Sequence, residues 1–259
     1  MREGERSEFA IVTGASSGIG LEFVKLLARD GARLLLVADE PLGEAARLAR
    51  SGGAAEVTTL EADLATDAGL LELLARLAKE PVDVLIANAG DGQGGRLLDQ
   101  DWKRIRHIID TNVTGTARLV HAVAQQMRQA GHGRILVTGS IVADMPGPFN
   151  LAYNASKAFV VKFCAGLSEE LESSPVTVTC LLPGAVDTPF FAKADMTDTL
   201  VGRLPKYRPE KVARDGYTAM RDGRRKVVSG LIARLQYGIA DVLPDAAVAK
   251  LHRLMARPL

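Results

Sequence analysis

The amino-acid sequence predicts an α/β fold built on a doubly wound parallel sheet with helices on both faces. Six short apolar segments alternate with longer amphipathic segments as far as about residue 190. The short segments are apolar at consecutive positions, which is typical of strands covered by helices on both faces. Repeated strand–helix–strand units indicate parallel strands joined by right-handed crossovers.

The six predicted strands are rich in leucine or β-branched residues. We expect them at residues 9–13, 33–38, 56–60, 82–87, 134–138 and 176–182. The segments between them carry apolar residues at helical spacing, as Ile19, Phe23 and Leu27 do after the first strand. No Pro/Gly/Ser-rich linker, internal repeat or low-complexity segment interrupts this pattern. The sequence therefore predicts a single domain over residues 1–259.

The pattern changes after Pro189. Residues 190–209 form an irregular stretch rich in Lys, Asp and Thr, and this stretch is too long for an ordinary connection. Long loops of this kind often cover a binding site, so we expect a substrate lid over about residues 189–215. A short possible strand follows at 226–229, and the C-terminal pattern predicts helices over about 230–257.

Composition excludes several classes of protein. Hydrophobic residues make up 47% of the 259 residues and charged residues 24%, which is enough apolar surface for a core and excludes a disordered chain. The 32 Lys and Arg residues balance 31 Asp and Glu residues, so nothing favours a nucleic-acid partner. The charged start of the chain precedes an apolar run too short for a signal peptide, and no run reaches the ~20 residues of a membrane span. We expect a soluble cytoplasmic protein.

Cysteine and histidine usage gives no indication of a metal site. Cys164 and Cys180 have neither metal-ligand spacing nor the pattern of a disulfide framework, and Cys164 is expected to be buried as a small apolar side chain. The histidines are scattered along the chain at His107, His121, His132 and His252. We therefore predict no bound metal.

A glycine-rich turn follows the first predicted strand and opens the first helix. Gly14, Gly18 and Gly20 would permit a tight turn and let backbone amides approach a pyrophosphate at the helix N-terminus. Such turns also occur without a ligand, and Asp39 by itself could be an exposed turn residue. However, Asp39 ends the second strand 19 residues beyond Gly20, where a carboxylate can accept both hydroxyls of an adenosine ribose. The combination predicts a dinucleotide site.

Tyr153 and Lys157 lie four residues apart, which places them one turn apart on the same face of a helix. This spacing is common at protein surfaces, but it also suits general acid–base chemistry. A free tyrosine has a pKa of ~10, and we expect the Lys157 ammonium to lower the pKa of Tyr153 by about 2–3 units. Ser140 ends the fifth strand at the carboxyl edge of the sheet, where its hydroxyl could hold a substrate oxygen beside the phenol.

Together these motifs resemble the short-chain dehydrogenase/reductase family, in its compact single-domain branch. The resemblance runs continuously over about residues 8–190. It rests on motifs that occur in the family's order: Thr13-Gly14-x-x-x-Gly18-x-Gly20, Asp63-Leu64, Asn88-Ala89-Gly90, Asn112, Ser140, Tyr153-x-x-x-Lys157 and Pro183-Gly184-Ala185-Val186-Asp187-Thr188.

The resemblance implies a Rossmann-type fold and a set of functional residues. The catalytic residues would be Asn112, Ser140, Tyr153 and Lys157. The cofactor-binding residues would be Gly14, Ser16, Ser17, Gly18, Ile19, Gly20, Asp39, Asp63, Leu64, Asn88, Ala89, Gly90, Tyr153, Lys157, Pro183, Gly184, Val186 and Thr188. In the family, Asn112 would bend its helix and hold a water that relays protons to Lys157. The loop after Gly90, polar and flexible here, would border the substrate pocket.

The acidic residues after the second strand predict NAD as the cofactor. Asp39 and Glu40 place two carboxylates where the 2′-phosphate of NADP would lie, and Ser17 stands where phosphate-binding relatives often carry Lys or Arg. At ~4 Å and an effective dielectric near 20, each like-charge contact costs about 4 kcal/mol before screening. NADP is therefore the less favoured cofactor.

The predicted function is an NAD-dependent oxidoreductase that interconverts a secondary alcohol and a ketone or aldehyde. Two alternatives on the same cofactor fold are an NADP-preferring carbonyl reductase and a catalytically silent dinucleotide sensor. A methyltransferase also uses a glycine-rich first turn. The silent sensor typically loses the Tyr153 and Lys157 pair, and a methyltransferase has no use for it, so its presence favours the enzyme.

The end of the chain predicts the kind of substrate and partner. Phe190 and Phe191 begin the predicted lid, which favours a largely apolar substrate. An apolar stripe recurs at helical spacing through Leu231, Ile232, Leu235, Ile239, Val242 and Leu243. We expect this stripe to pack on its own domain or on a partner subunit. A membrane-surface helix is the alternative, because residues 221–259 carry more basic than acidic side chains. The family resemblance implies a homodimer or homotetramer.

Overall fold

The computed structural model describes residues 7–78 and 80–259, except for the side chains of residues 239–242. Within these residues the strands are β1 (Phe9–Thr13), β2 (Arg33–Ala38), β3 (Glu56–Glu61), β4 (Val84–Ala87), β5 (Gly133–Thr138), β6 (Val176–Pro183) and β7 (Lys226–Ser229). They form one parallel sheet in the order β3-β2-β1-β4-β5-β6-β7. The predicted doubly wound parallel sheet is confirmed, and β4 is shorter than the sequence indicated.

The helices cover both faces of this sheet. They are α1 (Gly18–Arg29), α2 (Gly43–Ser51), α3 (Asp67–Leu77), α4 (Trp102–Ile109), α5 (Thr116–Ala130), α6 (Leu151–Glu170), α7 (Phe190–Lys193), α8 (Leu200–Arg203), α9 (Pro209–Arg221), α10 (Leu231–Val242) and α11 (Asp245–Ala256). A π-helical segment, Asp110–Gly115, joins α4 to α5.

Consecutive apolar residues of the central strands serve two separate cores. Ile11 of β1 and its neighbour Leu35 of β2 face the layer that includes α5 and α6. The intervening Val12 and Leu36 face the opposite layer, where Phe23 of α1 is fully buried. Because side chains alternate between the faces of a strand, both faces must be apolar. This arrangement explains the continuous apolar runs in the sequence.

The strand order reverses direction between β1 and β4. From β1 the chain proceeds outward to β2 and β3, and from β4 it proceeds the other way to β5, β6 and β7. The connections therefore diverge at this point and leave a crevice at the carboxyl ends of the strands, where ligands bind in open α/β sheets. The glycine-rich turn follows β1 and the Asn88-Ala89-Gly90 turn follows β4, so both border this crevice.

The segment after β6 is more ordered than the sequence indicated. Instead of an irregular stretch from 190 to 209, it contains the one-turn helices α7 and α8. Ala194 and Met196 between them are buried against Ala256 of α11, and Phe190 and Phe191 pack on the same cluster. The sequence did not predict these two helices because each has only four residues and the apolar contacts beside them involve Ala256, far away in the sequence.

The predicted C-terminal helices are present as α10 and α11. Leu231, Ile232 and Leu235 of the apolar stripe are 80%, 66% and 65% exposed in the single chain, so of the two expected packings the one on a partner subunit stays a prediction for these residues. The buried contact of α10 is made by Ala233, whose N–H donates to the Tyr207 hydroxyl. Ile239 and Val242 of the stripe have side chains outside the described residues. In the described part of the chain, no helix has the length and apolar character needed to cross a membrane.

Removing α10 and α11 should destabilise the molecule. A chain that ends after Ser229 would uncover Tyr207 and the buried Ala194 and Met196, so we expect aggregation and a lower Tm. Size-exclusion chromatography and thermal unfolding measure both effects. The control is Leu231→Ser, which alters an exposed side chain and should leave Tm unchanged. A monodisperse truncated protein with an unchanged Tm would contradict the prediction.

Candidate active site

A single cleft of about 1030 Å³ lies at the carboxyl edge of the sheet. It brings together most of the site residues predicted from the sequence: Gly14, Ser16, Ser17, Gly18, Ile19, Asp39, Asp63, Leu64, Asn88, Ala89, Gly90, Ser140, Tyr153, Lys157, Pro183, Gly184, Val186 and Thr188. Gly20 and Asn112 do not line the cleft. Both lie behind its wall and contact residues that do.

The glycine-rich turn is a backbone cradle that side chains would fill. Gly14 and Gly18 have φ values of +64° and +55°, in the left-handed region that favours glycine. A Cβ atom on Gly20 would lie 2.0 Å from the Gly14 carbonyl oxygen. Glycine is therefore required for the turn to pack against the start of α1, and the helix N-terminus is left facing the cleft, as a pyrophosphate needs.

Hydrogen bonds between strand ends hold this turn in place. The Thr13 hydroxyl accepts from the N–H groups of Asn88 and Ala89, each at 3.0 Å. The Asn88 side chain donates to the Thr13 carbonyl at 3.3 Å and accepts from the Thr138 hydroxyl at 3.1 Å. Asn88 thus connects the ends of β1, β4 and β5, the three strands around the crevice.

The predicted catalytic side chains converge at the other end of the cleft. Ser140 follows β5, and its hydroxyl lies near enough to the phenol of Tyr153 on α6 to act on the pKa of that phenol. Lys157 lies one turn further along α6, where its Nζ donates to the Thr138 carbonyl at 2.8 Å and is 5.7 Å from the centre of the Tyr153 ring. A hydroxyl, a phenol and an ammonium therefore face one part of the cleft.

Asn112 connects this group to the loop after β4. It lies in the π-helical segment, and its Nδ2 donates to the Asp91 carbonyl at 2.8 Å and to the Ser156 hydroxyl at 2.9 Å. Its Oδ1 accepts from the Asp91 N–H at 2.8 Å. The amide of Asn112 thus touches both the loop and α6.

Burial controls the titration of both catalytic groups. Removal from water raises the pKa of Tyr153 to about 12, and the neighbouring Ser140 hydroxyl acts in the opposite direction. Burial also lowers the pKa of Lys157 to about 8. The expected lowering of the Tyr153 pKa is therefore not produced by the protein's own groups, because desolvation of the phenolate is the largest influence on it.

The adenosine end of the cleft differs from the sequence-based expectation in one respect. Asp39 is exposed there, as a ribose partner must be. Glu40, in contrast, accepts from Lys193 at 2.6 Å and from the Ser16 hydroxyl at 3.0 Å, and this hydrogen bonding lowers the pKa of its carboxyl. Lys193 belongs to α7, so its approach could not be read from the sequence. Its charge largely cancels one of the two carboxylates in the argument for NAD.

Sequence reasoning missed Arg104 and His107, which also line the cleft. Both contact the carboxylate of Asp91, so the loop after β4, expected to be flexible, is held by side chains of α4. Arg104 and His107 lie three residues apart on one helical face, which is the one local signal of their common role. Nothing in the local pattern indicated that Asp91, 13 residues upstream of Arg104, would be their partner.

The substrate end of the cleft is predominantly apolar. The Phe190 ring lies 5.1 Å from the Tyr153 ring, measured between centroids. Further apolar lining comes from the segment after β6 and from α11: Phe191, Met196, Leu251 and Met255. His252 joins them, with Nε2 accepting from the Asn154 amide and Nδ1 donating to the Pro148 carbonyl, both at 3.1 Å. Burial lowers the pKa of His252, which favours the neutral ring.

The described residues contain no group of three or more His, Cys, Asp or Glu side chains arranged to hold a metal ion. Cys164 is buried as expected, and Cys180 is buried beside it.

A parallel sheet with a glycine cradle, an exposed carboxylate lining the cleft after β2 and a Ser–Tyr–Lys group is the arrangement of a dinucleotide-dependent oxidoreductase. Residues 8–199 match the family model described as short chain dehydrogenase. The chain belongs to the short-chain dehydrogenase/reductase family, whose members oxidise CH–OH groups or reduce the corresponding carbonyls.

Three related proteins illustrate this membership. An uncharacterized oxidoreductase of Myxococcus xanthus is 37% identical over 194 residues, which cover 73% of this chain and 74% of that protein. A short-chain dehydrogenase from Sphingobium yanoikuyae, solved in complex with NADPH, has a TM-score of 0.79 at 31% identity and covers 92% of this chain and 97% of its own. A bulky-bulky ketone specific alcohol dehydrogenase from Comamonas testosteroni has a TM-score of 0.78 at 26% identity and covers 96% of this chain and 99% of its own.

The burial of Lys157 should be measurable as a cost in stability. Its pKa is about 8 in the folded protein against an ordinary 10.5, so between these values the unfolded chain binds more protons and stability rises with pH. Below pH 8 the full cost remains, about 3 kcal/mol. Lys157→Met removes this cost and loses one hydrogen bond worth about 1 kcal/mol.

We therefore expect the free energy of unfolding of the Lys157→Met variant to be about 2 kcal/mol higher at pH 7. This value is the difference between the burial cost that is removed and the hydrogen bond that is lost. The difference should narrow as pH rises from 8 towards 10.5, the interval between the folded and ordinary pKa values of Lys157. Urea unfolding of both proteins at several pH values measures it. A variant less stable than wild type at pH 7, or a difference independent of pH, would refute the prediction.

Proposed function

We propose that the protein is an NAD-dependent oxidoreductase that interconverts a bulky, largely apolar secondary alcohol and the corresponding ketone. The observation that carries this proposal is the convergence of Ser140, Tyr153 and buried Lys157 on one cleft, which the glycine cradle and a predominantly apolar wall also line. A carbonyl oxygen placed between the serine hydroxyl and the phenol would meet two hydrogen-bond donors. Such donors stabilise negative charge that develops on that oxygen during hydride addition.

Each catalytic side chain has a separate task in this proposal. A bound nicotinamide cofactor supplies or accepts the hydride. Tyr153 gives its phenolic proton to the developing alkoxide in reduction and takes it back in oxidation, while Ser140 holds the oxygen in line with the phenol. Lys157 stabilises the phenolate by its positive charge, and Asn112 positions the water that returns protons to Lys157. The raised pKa of Tyr153 suits proton donation, and oxidation at neutral pH requires further positive charge beside it.

The residues around the cradle fit a dinucleotide, and Asp39 favours NAD over NADP. Gly14, Gly18 and Gly20 leave room for the pyrophosphate, while Asp63 and Leu64 flank the adenine side. Asn88, Ala89 and Gly90 line the middle of the cleft. Pro183, Gly184, Val186 and Thr188 line the same cleft and would hold the nicotinamide. An NADP-preferring carbonyl reductase is the second candidate, because Lys193 offsets Glu40 and the related Sphingobium yanoikuyae enzyme is seen with NADPH.

The apolar lining supports a substrate with bulky groups on both sides of the carbinol carbon. Phe190 covers one side of Tyr153, while Leu251 and Met255 of α11 extend the wall beyond it. The related Comamonas testosteroni dehydrogenase is described as specific for bulky-bulky ketones. In our proposal the segment 189–215 acts as the lid over this substrate.

Self-association into a homodimer or homotetramer and a cytoplasmic location are further parts of the proposal. Phe159 on α6 is 39% exposed and its ring stacks with Phe163 at 5.6 Å, which leaves an aromatic surface on this helix. The long helices α5 and α6 are those that build the dimer interface in the family. Sedimentation velocity on the full chain tests this assembly.

A panel of alcohols tests the function directly. We would incubate the protein with 2-butanol, 1-phenylethanol or diphenylmethanol and with NAD or NADP, and follow the absorbance of the reduced nicotinamide. The proposal expects turnover with NAD and a preference that rises with the bulk of the alcohol. Binding of NADH without turnover of any of these alcohols, or of their ketones in reverse, would favour a dinucleotide sensor instead.

Cofactor preference gives a specific prediction. Because Asp39 remains after Lys193 offsets Glu40, we expect kcat/KM to be at least about tenfold higher with NAD than with NADP, a difference of ~1.4 kcal/mol. Asp39→Ser should reduce this ratio by weakening NAD and improving NADP. Asp222→Ser removes a carboxylate outside the cleft and should not change the ratio. Equal efficiency with NADP in the wild-type protein would rule out the NAD assignment.

Removal of the Tyr153 hydroxyl tests the mechanism. Tyr153→Phe keeps the ring that packs on Phe190, so NADH binding should survive while turnover falls by at least ~100-fold. Tyr217→Phe is the matched control, because the Tyr217 hydroxyl accepts a hydrogen bond from Arg221 on α9 and lies outside the cleft. Steady-state rates and NADH fluorescence titrations separate the two effects. Near-normal turnover in Tyr153→Phe would assign the proton transfer to another group.

A further inference from the structure

The orientation of Asn112 is set by the main chain of Asp91. The Asp91 N–H donates to Asn112 Oδ1 and the Asp91 carbonyl accepts from Asn112 Nδ2, both at 2.8 Å. This pair of bonds fixes which end of the amide faces the loop. The same Nδ2 donates to Ser156, whose hydroxyl donates to the Tyr153 carbonyl at 2.7 Å. A displacement of Asp91 would therefore be transmitted to the catalytic turn of α6.

The position of Asp91 is in turn set by Arg104. The guanidinium forms a bidentate ion pair with the Asp91 carboxylate: Nη2 donates to Oδ1 at 2.6 Å and Nη1 donates to Oδ2. It also donates to the Gly92 carbonyl at 3.0 Å and to Gln93 Oε1 at 3.2 Å. His107 adds a contact of 2.9 Å between Nδ1 and Asp91 Oδ2. One side chain thus holds three consecutive residues of the loop.

This loop is packed too closely against the catalytic groups to move without consequence. A Cβ atom on Gly90 would lie 3.2 Å from Lys157 Nζ and 3.4 Å from Asn112 Oδ1. A Cβ atom on Gly92 would lie 2.7 Å from the Phe190 ring and 3.3 Å from the Tyr153 ring. Because the loop backbone is the neighbour of these groups, its position determines the space between them.

We propose that Arg104 is a positioning residue of the catalytic centre, acting through Asp91 on Asn112, Lys157 and Tyr153. The inference rests on the proposed function, since it assigns Arg104 a part in the same reaction. The planar guanidinium matches a carboxylate with two parallel hydrogen bonds and still reaches the Gly92 carbonyl, which a lysine ammonium cannot do. The contribution of Arg104 is therefore geometric, and a misplacement of about 1 Å can reduce a rate by ~100-fold.

The experiment compares Arg104→Met with Arg106→Met. Arg106 lies on the same helix with its side chain 70% exposed and paired with Asp110, so its replacement removes the same charge together with an exposed ion pair outside the cleft. Single-turnover oxidation of diphenylmethanol should be about 10- to 100-fold slower in Arg104→Met and within about twofold of wild type in Arg106→Met. NADH affinity should change less than about threefold in either, because neither substitution touches the glycine cradle.

Two further measurements distinguish positioning from a general structural effect. Hydrogen exchange of the amides of 91–95 should accelerate in Arg104→Met and not in Arg106→Met. Arg104→Lys keeps the charge without the bidentate hydrogen bonds, so it should recover only part of the single-turnover rate that Arg104→Met loses. If Arg104→Met fails to fold, Asp91→Asn keeps the main-chain bonds to Asn112, weakens the Arg104 contact and should show a smaller loss of the same kind.

The outcomes separate this inference from the proposed function. Wild-type protein that turns over none of the alcohols overturns the proposed function, and the role of Arg104 falls with it. Active wild type together with equal single-turnover rates in Arg104→Met and Arg106→Met overturns the inference alone. Faster exchange in the loop with an unchanged rate also overturns it, because the loop would then move without affecting catalysis. A single-turnover rate in Asp91→Asn equal to that of wild type would also overturn the inference.

Discussion

The hydrogen bonds between Thr13 and the Asn88-Ala89 turn are the constraint on which the rest of the cleft depends. They close the carboxyl ends of β1 and β4 together at the point where the strand order reverses. With these ends fixed, the glycine cradle faces one side of the crevice and the loop after β4 faces the other. Asn88 extends the same network by accepting from the Thr138 hydroxyl on β5, and the carbonyl of Thr138 accepts from Lys157. Cofactor and catalytic residues are thereby placed relative to one hydrogen-bonded core.

Lys157 and Tyr153 lie at a buried end of the cleft, and their burial disfavours the charged form of each side chain. Lys157 is almost completely buried, with its ammonium bonded to a strand carbonyl, and burial lowers its pKa while raising that of Tyr153. Both shifts have burial as their largest cause, and for the Lys157 ammonium burial costs stability. Positive charge brought into the cleft would favour the phenolate that the protein by itself disfavours.

The wall of the cleft is assembled from segments distant in the sequence. Phe190 and Lys193 are three residues apart on α7, yet one packs on Tyr153 and the other pairs with Glu40 beyond β2. A single short helix therefore spans the cleft from its catalytic end to its adenosine end. The loop after β4 is held from the opposite side by Arg104, and its Gln93 reaches Asp195 just beyond α7 at 2.9 Å. The two sides of the opening meet at this contact.

The sequence by itself determined the doubly wound sheet, the six main strands and the grouping of Ser140, Tyr153 and Lys157. Consecutive apolar residues in strands, a glycine-rich turn and a four-residue helical spacing are local patterns, and their combination in one order along the chain predicted the sheet and the site. Tertiary structure decided what local patterns do not encode: the pairing of Lys193 with Glu40, the hold of Arg104 on Asp91 and the raised pKa of Tyr153. These depend on burial and on contacts between side chains 13 to 153 residues apart. Such distances and solvent exclusion exist only after the chain has folded.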